Sequence, residues 1–217
     1  MNQAQPRDPV VPALLEFKGE KIRTYCEGRL AEGADPYVIL DELVRGLDLI
    51  GEGYEDKECR RYFNSDLIVS GRNMRRAIGI IRPHLPAVAA SRGTVLIGTV
   101  QGDVHDIGKT IVAVTLESHG FRVIDLGTDV PAGRFCEGVR VHHPDILCLS
   151  ALLTSTAPAM DTVIRALTEE GLRNTVFVMV GGRAVTRDLA AGTGADAYAK
   201  DSVEALRLCE GRIRSAR

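Results

Sequence analysis

Tryptophan is absent from the 217-residue chain, and aromatic residues make up only 5% of it. A stacking platform for single-stranded nucleic acid is therefore not expected. A dominant charge is lacking too: 27 Lys and Arg stand against 29 Asp and Glu, a formal net charge of −2. That balance supplies no bulk field toward nucleic acid or an anionic membrane. No apolar run approaches the ~20 residues of a membrane span, and Met1 to Val11 lacks the basic-then-apolar order of a signal peptide. The cysteines, Cys26, Cys59, Cys136, Cys148 and Cys209, are odd in number, widely spaced and form no CxxC. Neither a disulfide framework nor a zinc ribbon follows from them, and they read as small core residues in a reducing cytoplasm.

What is present divides into two halves. From about Pro12 to Arg82 apolar residues recur at three and four, as in Leu14, Leu15, Ile22, Tyr25 and Cys26, then Leu40, Leu43, Val44, Leu47 and Ile50. That is a helical period. Breaks are expected at Asp35-Pro36, where Asp35 can cap and Pro36 suits the first helical position, at Gly51 and Gly53, and at Pro83. Four helices forming a small bundle are predicted over 12–85. A joint containing two prolines, 83–93, separates them from a second domain over 93–215.

In the second half, short β-branched runs alternate with helical stretches. Strands are predicted at Thr94–Val100, Arg122–Leu126, Ile146–Leu149, Val176–Val180 and Ala195–Ala199. Helices are predicted at Ile107–His119, Ala132–His142, Pro158–Glu170, Ala184–Ala191 and Val203–Ile213. Five strands joined by crossover helices give an α/β, flavodoxin-like (Rossmann-like) doubly wound parallel sheet, in the order 2-1-3-4-5. Ligands of such sheets sit at the carboxyl ends of the strands.

The loop after the first strand reads Gly102-Asp103-Val104-His105-Asp106-Ile107-Gly108-Lys109-Thr110. A phosphate loop needs four residues between its glycines, and here there are five. Asp103 and Asp106 would also repel a polyphosphate, so nucleotide hydrolysis is rejected. The loop instead offers an imidazole with a carboxylate two residues before it. An imidazole suits a borderline metal, and a carboxylate on its other nitrogen fixes the tautomer. Alone, His105 reads equally as a solvated loop residue, with Asp103 or Asp106 capping the helix. Ser150-Ala151-Leu152-Leu153-Thr154-Ser155-Thr156 follows the third strand and Gly181-Gly182 the fourth, so small and hydroxyl residues line the same edge.

These motifs together resemble the cobalamin-binding domain family: DxHxxG as Asp103, His105 and Gly108, SxL as Ser150 and Leu152, and the paired glycines Gly181 and Gly182. The resemblance implies cobalamin bound base-off/His-on, with its benzimidazole tail threaded into the sheet domain and His105 as the lower axial ligand of cobalt. It makes Asp103 and Thr156 the relay behind that ligand, with threonine where methionine synthase has serine. The loop residues Gly102, Val104, Asp106 and Ile107 would contact the cofactor, as would Ser150, Leu152, Thr154, Gly181 and Gly182. Gly108, Gly181 and Gly182 would clear room for it, and Ala199 would close the tail slot.

The helical half, notably Leu47-Asp48-Leu49-Ile50-Gly51-Glu52 and Tyr62-Phe63-Asn64-Ser65-Asp66-Leu67-Ile68, is similar to the four-helix cap of methyl-carrying corrinoid proteins. Such a cap shields the upper face of the corrin, and Tyr62, Phe63, Leu67 and Met74 are the candidates for that surface. Their ordinary alternative is bundle core. The implied function is methyl carriage through Co(I) and methyl-Co(III), between a substrate-specific methyltransferase and an acceptor methyltransferase, with a reductive activase. Alternatives are a cobalamin-dependent sensor, which normally carries a DNA-binding domain ahead of its cap, and the small subunit of an adenosylcobalamin mutase, which lacks the cap. Arg60, Arg61, Arg72, Arg75, Arg76 and Arg82 against Asp66 make the last cap helix basic. It reads first as a solvated face, otherwise as a docking surface for an acidic partner enzyme or a DNA contact.

Overall fold

The computed structural model describes residues 8–56, 61–85 and 92–215. Its backbone divides into two units, Met1–Leu85 and Pro86–Arg217. Most of the expected joint, and Cys59 and Arg60, lie outside the described residues.

The first unit contains α1 (Val10–Leu14), α2 (Glu20–Ala31), α3 (Pro36–Glu55) and α4 (Asn64–Ile81), and α4 packs on each of the other three. Asp35 caps α3 by accepting the Tyr37 amide at 2.9 Å, and Pro36 occupies the first helical position. Contrary to the predicted break, α3 continues through Gly51 and Gly53 to Glu55. A helical glycine costs about 1 kcal/mol relative to alanine, and at Gly53 that cost is offset by packing. A Cβ there would lie 2.7 Å from the Tyr62 ring, so the glycine marks a close approach rather than a stop. The buried stripe of α4 runs Ser70, Asn73, Met74, Ala77, Ile78 and Ile81, at the helical period.

The basic face of α4 is partly committed to structure. Arg72 donates to the Phe17 carbonyl and stands over the Phe17 ring, 4.9 Å from its centroid. Arg76 donates to the Lys18 carbonyl at 3.0 Å. Between them, buried Asn73 donates to the carbonyls of Leu14 and Glu16, both at 2.8 Å. Together they clasp the turn between α1 and α2.

The second unit alternates β1 (Gly93–Thr99), α5 (Ile107–Ser118), β2 (Phe121–Asp125), α6 (Ala132–His142), β3 (Ile146–Ser150), α7 (Ala159–Glu169), β4 (Phe177–Gly181), α8 (Arg187–Thr193), β5 (Ala197–Ala199) and α9 (Ser202–Ser215). The strands are parallel in the order β2-β1-β3-β4-β5, as predicted. The helix predicted from Ala184 begins at Arg187, because Thr186 caps it by accepting the Leu189 amide at 3.2 Å.

Strand residues alternate between two cores. Leu96, Leu147, Leu149, Val178 and Val180 pack with Phe135 and Val139 of α6 and Met160, Val163 and Leu167 of α7. Val95, Ile97, Ile146, Cys148 and Met179 face the other way, with Leu116 of α5 and Cys209 of α9. Each large side chain fully buried there contributes about 1.5–3 kcal/mol. With both faces covered, the carboxyl edge is left for function. Strand order reverses between β1 and β3, the switch point where such sheets bind ligands. Among the described residues no helix is long and apolar enough to cross a membrane.

Candidate functional site

The loops after β1 and β3 meet at one carboxylate. Asp103 is fully buried, and its Oδ1 lies 2.7 Å from Nδ1 of His105 while also accepting the His105 amide at 3.0 Å. Its Oδ2 accepts the Leu152 amide at 2.7 Å, the Leu153 amide at 3.3 Å and the Thr156 hydroxyl at 2.7 Å. Burial alone would raise the carboxyl pKa. Donation from Thr156, the His105 amide and ring, and the Leu152 amide outweighs it and holds Asp103 well below the usual carboxylate range. The carboxylate is therefore ionised and accepts only, so Nδ1 of His105 donates to it, and in the neutral ring the lone pair falls on Nε2. The His105 side chain is 45% exposed. A basic nitrogen of fixed orientation is thus presented to the surface.

Further bonds lock this loop. Thr99, at the end of β1 and fully buried, donates from Oγ1 to the His105 carbonyl at 2.9 Å. Asp129, in the loop after β2, accepts the Gly102 amide at 2.7 Å and donates its own amide to the Asp103 carbonyl at 2.8 Å. Gly102 has a φ of 84° and Asp129 one of 54°, left-handed values that glycine adopts freely and Asp tolerates. Sequence reading missed both braces. A buried hydroxyl at the carboxyl end of β1 and the Asp-Val-Pro turn after β2 are the signals they leave.

The other predicted residues fall along this edge. Val104 is exposed, Asp106 occupies the N-cap of α5 without a side-chain capping bond, and Ile107 begins the helix. Ser150 closes β3, and its carbonyl accepts the Val100 amide at 3.0 Å. Thr154 lies exposed in the turn before Thr156. Gly108 faces open space, with nothing within 4 Å of where a Cβ would stand.

Gly181 and Gly182 have another reason than room for a ligand. A Cβ on Gly181 would come 2.7 Å from the Ala199 carbonyl oxygen, and one on Gly182 would come 2.1 Å from that of Ala151. These glycines, with Ala199, let the β3, β4 and β5 ends pack backbone to backbone. Lys109, which a phosphate loop would aim at its ligand, is buried and paired with Asp125.

In the helical unit Tyr62 is half-buried, Phe63 is 61% exposed and Leu67 is half-buried. Met74 lies fully buried on the inner stripe of α4, which makes it core rather than ligand-facing surface.

Among the described residues no three His, Cys, Asp or Glu side chains converge to hold a metal ion. A single oriented imidazole suits a metal that brings its own equatorial donors. The residues fit such a group: the His105 side chain is partly exposed, Gly108 in the first turn of α5 faces open space, and exposed Val104, Leu152 and Leu153 give an apolar margin. Fold and site define a doubly wound domain that presents a carboxylate-oriented imidazole at the carboxyl edge of its sheet.

Residues 93–207 match the family model of the B12 binding domain. The chain belongs to that family, as a cobalamin-binding corrinoid protein of the kind found in methyltransferase systems, and its cofactor is cobalamin. It is 37% identical over 198 residues to dimethylamine corrinoid protein 3 of Methanosarcina acetivorans, covering 91% of this chain and 92% of that one. To the trimethylamine corrinoid protein of Methanosarcina barkeri it is 35% identical, covering 89% and 90%. The solved monomethylamine corrinoid protein of Methanosarcina barkeri superposes with a TM-score of 0.81 at 29% identity, covering 94% of this chain and 95% of that one. A chain of the methanol:cobalamin methyltransferase complex from the same organism gives 0.55 at 30% identity, covering 96% and 81%.

Proposed function

We propose that this chain is a methyl carrier, the corrinoid subunit that a substrate-specific methyltransferase loads and an acceptor methyltransferase unloads, with a reductive activase restoring it. The observation that carries this reading is the ionised Asp103 carboxylate on Nδ1 of His105, by which His105 would hold the cobalt of a bound cobalamin through Nε2. When bound, cobalamin supplies a cobalt that accepts and gives up the methyl group. The chain's own part is to orient the imidazole through Asp103, anchor that carboxylate through Thr156 and the Leu152 amide, and seat the cofactor along the strand ends. Phe63, Leu67 and Tyr62 are the side chains assigned to cover the methyl group; Met74 drops out because it is buried. Methylated amines are the donor class, supported by the dimethylamine and trimethylamine corrinoid proteins among the relatives.

Reconstitution with cobalamin tests the reading. Wild type is expected to give a base-off, His-on absorption spectrum, and His105→Ala a base-off spectrum without the histidine ligand. The reduced holoprotein, given a methylamine methyltransferase and its substrate, is expected to become methylated at cobalt, and methanol with its own methyltransferase is not. A chain that binds no corrinoid, or one that binds only adenosylcobalamin and changes oligomeric state in light, overturns it.

A further inference from the structure

We propose that Thr99 and Asp129 are positioning residues that hold the His105 imidazole ready for cobalt. The inference rests on the cobalamin reading above and extends it to two side chains that need not touch the cofactor. Asp103 fixes the ring through its own carboxylate, but Asp103 and His105 share a short loop whose backbone must itself be held. Thr99 restrains the far side: its buried hydroxyl takes the His105 carbonyl at 2.9 Å, and its backbone carbonyl accepts the Val130 amide at 3.0 Å. Asp129 restrains the near side, accepting from Gly102 at 2.7 Å and donating to the Asp103 carbonyl at 2.8 Å. The histidine is thus bracketed on both sides by groups rooted in β1 and in the β2–α6 loop. Releasing either bracket lets the 102–106 backbone drift, and an axial nitrogen loses its value when its aim is lost.

Two pairs of variants test this. Thr99→Val keeps shape and removes the hydroxyl, and Thr99→Ser restores it. Asp129→Gly keeps the left-handed backbone and removes the acceptor, whereas Asp129→Asn keeps both. Valine and glycine are expected to weaken histidine coordination to bound cobalamin about tenfold, read from the His-on spectrum. Serine and asparagine are expected to stay within about twofold of wild type. In the cofactor-free protein, ¹⁵N-histidine NMR is expected to show a protected Nδ1–H in wild type, serine and asparagine variants, and faster exchange in the valine and glycine variants. If Thr99→Val does not fold, the Asp129 pair decides. Valine and glycine variants matching wild type in both readouts overturn the inference, as does glycine behaving like asparagine. A wild type that binds no cobalamin overturns the proposed function instead, and the NMR comparison still decides whether the brackets position the ring.

Discussion

Thr156 Oγ1 stands 2.7 Å from Oδ2 of Asp103, on the opposite side of the carboxylate from His105. The two carboxylate oxygens have separate tasks. Oδ2 ties the first loop to the third, while Oδ1 orients the imidazole.

Removing the Thr156 hydroxyl tests the first task. Thr156→Val leaves Asp103 with the Leu152 and Leu153 amides on Oδ2, so the site is expected to survive in weakened form. The cost to the cofactor-free protein is about 1 kcal/mol, measured by urea unfolding. Thr156→Ser keeps the donor and is expected to stay close to wild type. Equal losses in both variants would show that the methyl group matters, not the hydroxyl.

Asp103→Asn tests the second task. The amide oxygen is expected to turn toward the Thr156 and Leu152 donors, leaving its NH2 facing Nδ1 of His105. Nδ1 must then accept, which moves the imidazole proton to Nε2 and blocks the nitrogen meant for cobalt. Histidine coordination is expected to weaken 10- to 100-fold, roughly the range for a lost orienting partner. Retention of a full His-on spectrum would refute the tautomer argument.

Asn73 offers a test far from the site. Its amide donates to two carbonyls at 2.8 Å from a fully buried position. Asn73→Leu fills the space but strands both acceptors, at an expected cost of about 2 kcal/mol. Hydrogen exchange of the α1 and α2 amides is the measurement, since it reports on that unit by itself. Unchanged protection would mean the clasp is ornamental.

How much was legible beforehand follows from what kind of partner each residue has. Strand order and crossover helices were readable because β-branched runs alternate with helical periods, and the Asp103–His105 pair because both partners are side chains two residues apart. Thr156 entered through resemblance, and its hydroxyl donates to Oδ2 of Asp103 at 2.7 Å. Thr99 and Asp129 escaped because they bond main-chain groups, which every residue carries and no motif marks. Gly53 was misread for a related reason: a helical glycine looks the same whether it stops the helix or admits a ring. The arginines of α4 read as a surface, yet Arg72 and Arg76 reach carbonyls 55 and 58 positions away.

Acid should loosen the helical unit through Glu42. Its carboxylate accepts two bonds from Arg29, at 2.8 and 3.2 Å, and one from the Tyr25 hydroxyl at 2.6 Å. The Arg29 bonds lower its pKa from the ordinary 4.5, with burial opposing them. A lowered folded-state pKa means the stabilisation is present above about pH 4.5 and is lost as pH falls through the folded value. Glu42→Gln is expected to lose about 1 kcal/mol at pH 7 and to converge with wild type as pH falls below 4.5 through the folded value, followed by unfolding at each pH. A constant gap across that range would exclude the linkage.

Gly108 and Gly182 separate a demand of the ligand from a demand of the fold. An alanine at 182 must hold a φ of 121° with its Cβ 2.1 Å from the Ala151 carbonyl oxygen, so the backbones of the β3 and β4 loops would have to part. Gly182→Ala is expected to cost more than about 2 kcal/mol in the absence of any cofactor. At 108 the added methyl meets nothing within 4 Å and sits in the first turn of α5. Alanine there is expected to leave the cofactor-free protein unchanged or up to about 1 kcal/mol more stable, through helix propensity. Its penalty is expected only with cobalamin, as a weaker dissociation constant by titration calorimetry, if the cofactor lies over the open first turn of α5. If Gly108→Ala binds cobalamin as wild type does, the open ground at Gly108 is not where the cofactor lies.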